Sequence, residues 1–89
     1  MPERSVRIMN RNGVHARPAA EIVKLAAKFK SDITLTRDEL EVNGKSIMGV
    51  MMLAAGRGTS LVLKIDGQDE GQAVTALEAL INGRFGEAE

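Results

Sequence analysis

The chain has no cysteine, which excludes a disulfide framework, a thiol nucleophile and any zinc site built on thiolates. It has no tryptophan and no tyrosine, and its two phenylalanines, Phe29 and Phe85, are too few for a base-stacking surface. Twelve Lys and Arg balance twelve Asp and Glu, so the field that a general nucleic-acid or anionic-membrane binder needs is missing. No run of about eighteen apolar residues occurs. The opening MPERSVRIMNR is charged where a secretory signal needs an apolar stretch. These absences point to a soluble, cytoplasmic protein with neither membrane nor nucleic acid as partner.

What is present fits one small domain over residues 1–89, 44% hydrophobic and 27% charged. A chain of this size hides only roughly 60 to 65% of the surface of its unfolded form, so its helices keep a wet side. The balanced charge is unevenly spread. Residues 1–30 hold seven Lys or Arg against two acids, and residues 65–89 hold one Arg against six acids. Either the amino-terminal third attracts anions, or folding interleaves the two patches.

Val6 and Ile8 alternate with Ser5 and Arg7 over residues 5–9, the period of a strand with one buried face. Asn10 to Gly13 reads as a loop. From Ala16 to Lys30, Ala19, Ile22, Val23, Ala26 and Phe29 recur at helical spacing. Ile33 and Leu35, then Leu40 and Val42, alternate on either side of Arg37-Asp38-Glu39 and predict an antiparallel hairpin ending at Asn43-Gly44. A short helix follows between Lys45 and Ala54, and Leu61, Leu63 and Ile65 make a fourth strand. Asp69 and Gln72 have capping-box spacing ahead of a helix through Ala73, Val74, Leu77, Leu80 and Ile81, with Gly83 as its stop. The tail from Gly86 to Glu89 is expected to fray. The order β-α-β-β-α-β-α describes an α+β domain, a four-stranded sheet with three helices on one face.

His15 is the only histidine. A lone histidine is ordinarily a surface or capping residue, but its neighbours, Gly13-Val14-His15-Ala16-Arg17-Pro18, argue for more. Proline suits the first turn of a helix, where N–H groups have no intrahelical acceptor. A helix starting there aims free amides and the positive end of its dipole at the space beside the imidazole, which makes an anion site. Arg17 adds a planar, permanently charged fork suited to phosphate. Because residues before proline avoid the α region, Arg17 is expected at the cap or just before the helix. An imidazole here can act as acid or base, metal ligand or nucleophile. A metal is disfavoured by the missing partner ligands and by the adjacent arginine, and a nucleophile that accepts a phosphoryl group fits best.

Gly44-Lys45-Ser46 lacks the earlier glycine of a P-loop, since Glu39 stands there, and Gly56 and Gly58 lack the third glycine of a dinucleotide fingerprint, since Leu61 does. Ser46 reads as a helix N-cap. On that helix Val50, Leu53 and Ala54 share one face and Ile47, Met48 and Met51 another. So small a domain hardly buries both, so the second face is either an adaptable docking patch or core filler.

Two separated motifs, Gly13-Val14-His15-Ala16-Arg17-Pro18-Ala19 and Asn43-Gly44-Lys45-Ser46-Ile47-Met48-Gly49-Val50-Met51, carry a resemblance to HPr, the histidine-containing phosphocarrier of bacterial phosphotransferase systems. It extends from about Val6 to Ile81. The resemblance implies an open-faced β-sandwich with antiparallel order 1-4-2-3. It implies that His15 is phosphorylated on Nδ1 by phospho-enzyme I, charged by phosphoenolpyruvate, and passes the group to enzyme IIA domains. Arg17 and the helix-start positions Ala16 and Pro18 would support the phosphate, and Ser46 resembles the site used by HPr kinase/phosphorylase. No cofactor is implied. His15 separates the chain from HPr-like regulators that lack the active histidine, while sugar uptake and the nitrogen-regulatory branch both remain open. An acylphosphatase-like hydrolase and a purely regulatory module are the rival classes, and neither forms a stable phosphohistidine.

Overall fold

Alternating apolar residues make four strands whose inward side chains line one face of a single sheet. The computed structural model describes residues 3–87. Strands β1 (Glu3–Arg7), β2 (Asp32–Arg37), β3 (Leu40–Asn43) and β4 (Ser60–Asp66) are all antiparallel, in the order β1-β4-β2-β3. The register sets Val6 opposite Leu61, Leu35 opposite Leu63 and Val42, and Ile33 opposite Ile65. Each of these side chains is buried, and such same-face pairs stabilise a sheet. The other face, with Ser5, Thr34 and Lys64, is not part of the core.

Three helices cover the inward face: α1 (Ala16–Ala26), α2 (Ile47–Met52) and α3 (Glu70–Asn82), followed by a single 3-10 turn at Arg84–Gly86. Helix α1 buries Pro18, Ala19, Ile22 and Ala26, α2 buries Val50, and α3 buries Ala73, Val74, Leu77 and Ile81. With the strand residues they form one cluster. No helix among the described residues is long and apolar enough to cross a membrane. The expected order of elements and the sheet order hold.

Several local expectations do not. Helix α1 stops at Ala26 and does not continue to Lys30. The amides of Lys28 and Phe29 bond only three residues back, while those of Lys30 and Ser31 are taken by the Asp69 carboxylate and are lost to the helix. The same contacts overturn the capping box: Asp69 makes no side-chain cap bond to α3, because its oxygens reach across to the end of the α1 segment. Glu70 instead accepts from the Gly67 amide at 3.2 Å.

Arg17 lies inside the first turn of α1, and His15 is the cap. The α region is disfavoured before proline but not forbidden, and three contacts to its guanidinium, described below, hold Arg17 there. Helix α3 ends at Gly83 as expected, but Gly83 has φ −80°, and the left-handed turn is made by Arg84 and Phe85. Ala54, expected on the buried face of α2, lies beyond the end of that helix with φ 48°, and Ala55 joins the core in its place.

Candidate functional site

The loop ahead of α1 is fixed from within. Asn10 is fully buried; its side-chain NH₂ donates to the Gly13 carbonyl at 2.7 Å, and its backbone carbonyl accepts from the Gly13 amide at 3.1 Å. Gly13 has φ +65°, and a Cβ there would stand 2.5 Å from the Ala55 carbonyl oxygen, so only glycine fits. The Val14 amide then bonds that same oxygen at 2.8 Å. These bonds deliver His15 to the N-cap of α1.

The first helical bond runs from the Ala19 amide to the His15 carbonyl. The amides of Ala16 and Arg17 therefore have no acceptor within the helix, and Pro18 has no N–H to leave unpaired. Ala16 is exposed and Pro18 buried, so Pro18 fixes the helix start and gives no donor. The His15 ring makes no cap bond to its own helix, and it is 40% exposed. Its Nε2 lies 2.8 Å from Glu87 Oε2. An ionised carboxylate only accepts hydrogen bonds, so Nε2 is the donor here, and in the neutral ring Nδ1 then carries the lone pair. Among the described residues Nδ1 has no hydrogen-bond partner.

Arg17 reaches the same carboxylate. Its Nη2 donates to Glu87 Oε2 at 3.1 Å and to the Phe85 carbonyl at 3.0 Å, and its Nη1 donates to Glu21 one turn along α1. Asn10 supplies a further bond to Glu87 Oε1 at 2.8 Å. Donors on three sides, Asn10 first and then His15 and Arg17, hold the Glu87 carboxyl below the usual glutamate range. The two charge patches are thus interleaved here: Arg17 meets Glu87, and Arg4 meets Glu78 at 3.4 Å.

Asn10 and Glu87 were not legible as site residues. Glu87 falls in the tail expected to fray, yet it is three-quarters or more buried and fully engaged; Ala88 and Glu89, the rest of that tail, lie outside the described residues. The only sequence clue to Glu87 was the acidic bias of the carboxy-terminal end against the basic start.

Ser46, Ile47, Met48 and Met51 sit apart from this cluster in sequence but on α2, which packs against α1. Ser46 caps α2, its Oγ accepting from the Gly49 amide at 3.1 Å. Val50 is fully buried below, while Ile47, Met48, Met51 and also Met52 are exposed. Among the described residues no three of His, Cys, Asp and Glu gather to hold a metal ion. A surface depression of about 520 Å³ is lined by Lys30, Gln68, Asp69, Gly71 and Gln72 and shares no residue with the histidine cluster.

The sheet order and a histidine capping a helix beside an arginine define an open-faced α+β domain with an anion site at the head of its first helix. The family model described as the phosphotransferase HPr component phosphorylation site matches residues 2–83. The chain is 53% identical over 87 residues to the phosphocarrier protein HPr of Treponema pallidum, covering 98% of this chain and 99% of that one. It is 49% identical over 89 residues to HPr of Neisseria meningitidis, covering all of both. The crystal structure of HPr-C-His from Thermoanaerobacter tengcongensis superposes with a TM-score of 0.96 at 45% identity over the full length of both chains. The chain belongs to the HPr family of phosphotransferase-system phosphocarriers.

Proposed function

We propose that His15 Nδ1 is the phosphoryl acceptor of this carrier, with phospho-enzyme I as donor and enzyme IIA domains as acceptors, in sugar uptake and its regulation. The observation that carries this reading is the His15 ring itself: Nε2 is tied to a carboxylate, and Nδ1 is left with its lone pair at the head of a helix. The Nδ1 lone pair forms a bond to phosphorus as the donor's phosphorus–nitrogen bond breaks and its electrons return to the donor's ring. Transfer onward reverses these roles. The incoming charge meets the free amides of Ala16 and Arg17, the helix dipole and the Arg17 fork. No cofactor enters, the whole chain acts as one such domain, and its partners are proteins of the cytoplasm.

Partners dock on Ile47, Met48 and Met51, the exposed apolar face of the neighbouring helix. Ser46 is the regulatory site, modified by HPr kinase/phosphorylase. A phosphate there adds roughly −1.5 to −2 charge at a helix start, which suits the helix and sets an ion beside the apolar face that a partner must desolvate. Incubation with phosphoenolpyruvate and enzyme I tests the reading. An acid-labile phosphoryl group that disappears in His15→Ala is expected, and a folded chain that takes up none overturns it.

A further inference from the structure

We propose that α2 carries an oxidant-sensitive face: the thioethers of Met48, Met51 and Met52 are sites of reversible oxidation to sulfoxides, and their oxidation weakens the docking of enzyme I. The inference rests on α2 being the face on which partners dock. The chain has no cysteine, tryptophan or tyrosine, so methionine sulfur is where a two-electron oxidant such as hydrogen peroxide acts first. Of the five methionines, Met48, Met51 and Met52 stand on α2. Met51 and Met52 follow Met48 by three and four residues, so the three share one side of the helix. Met48 is 75% exposed, Met52 64% and Met51 43%, against 38% for Met9, and that sets the order of attack. Groups other than these sulfurs hold α2 in place. Ser46 caps its start, Arg37 Nη1 donates to the Leu53 and Ala54 carbonyls beyond its end at 2.8 and 2.9 Å, and Val50 and Leu53 are buried beneath it. Oxygen added at the outer sulfurs therefore changes the surface and leaves the helix standing.

In the step itself a sulfur lone pair forms the S–O bond as the peroxide O–O bond breaks. The hydroxide released takes the proton of the transferred hydroxyl and leaves as water. Sulfur gives up two electrons, which the peroxide gains. The product is a polar, chiral sulfoxide where a flexible apolar side chain stood. A partner that buries this face must strip water from each new oxygen without offering it a donor, which costs affinity. Reversal takes two electrons from a dithiol, which becomes a disulfide as the oxygen departs as water. Peroxide produces both epimers at sulfur, so both types of methionine sulfoxide reductase are needed. The His15 chemistry is not touched, so the effect falls on KM and not on kcat.

Hydrogen peroxide is applied to the whole chain alone and removed before enzyme I is added, and the added oxygens are placed by peptide mass mapping. Met48 and Met52 are expected to oxidise ahead of Met51 and Met9. The KM for acceptance from phospho-enzyme I is expected to rise about tenfold with kcat unchanged, the melting transition to remain cooperative, and the two reductases together to restore KM. A variant carrying Met48→Leu, Met51→Leu and Met52→Leu is compared with its own untreated sample, and the peroxide effect is expected to vanish in it. Met9→Leu is expected to keep the full effect. Oxidation that falls elsewhere first, loss of the fold, an effect that persists in the triple variant, or a KM that the reductases do not restore overturns the proposal. A KM that rises in Met48→Asp but not on oxidation overturns the proposal and leaves the docking face standing. A KM that moves in neither case overturns the docking assignment, and this proposal with it.

Discussion

The Asp69 carboxylate accepts from both the hydroxyl and the backbone amide of Ser31, and so ties the head of α3 to the turn that ends the α1 segment. The Lys30 amide adds a third bond at 2.8 Å. The Ser31 hydroxyl first, then the Lys30 amide, lower the Asp69 carboxyl from the ordinary 3.8 to about 2. A group whose folded value lies below its unfolded one adds stability above the unfolded value and loses it as pH falls through the folded one. Denaturant midpoints for Asp69→Asn are therefore expected to fall below wild type at about pH 6 and to converge on it near pH 2. Parallel pH profiles would contradict this.

Ser46 carries two separable consequences. Ser46→Ala removes the bond to the Gly49 amide and is expected to destabilise by about 1 kcal/mol while transfer to His15 continues. Ser46→Asp keeps a good N-cap and adds charge beside the apolar face. It is expected to melt like wild type but to accept phosphate several-fold more slowly, on the order of tenfold, from subsaturating enzyme I; an unchanged rate would remove the regulatory reading of Ser46.

On the same helix, Met48 is 75% exposed and Val50 not at all. Met48→Asp is expected to change stability by no more than about 0.5 kcal/mol and to raise the KM for enzyme I. Val50→Ala is expected to cost about 2 kcal/mol with the KM of the folded protein intact. Calorimetry together with steady-state transfer distinguishes them, and the reverse pattern would move the docking surface elsewhere.

Arg17 touches both Glu21 on its own helix and the Glu87 cluster. Arg17→Ala is expected to reduce kcat/KM for acceptance roughly a hundredfold. Arg17→Lys should recover only part of this, because an ammonium supplies charge without the fork. Equal rates for the lysine variant and wild type would show that point charge alone is what the site needs.

The strands were legible because a sheet with one wet face writes its period into the sequence, as at Ile33, Leu35, Leu40 and Val42. The places of His15 and Ser46 at helix starts were legible because helix starts have local chemistry, with proline, small polar residues and glycine at fixed offsets. What stayed hidden is long-range. Asp69 has the spacing of a cap but spends its oxygens on Ser31 and Lys30, partners distant in sequence. Glu87 reads as a loose end until Arg84 and Phe85 fold it onto His15. Arg17 entered the helix against its local preference because contacts from the far end of the chain hold it.

The most direct test is to phosphorylate the intact chain with phosphoenolpyruvate and enzyme I and to assign the site by phosphorus and nitrogen NMR. The account predicts a single acid-labile phosphoryl group bonded to His15 Nδ1, with the proton still on Nε2. Attachment at Nε2, or at any other residue, would contradict it.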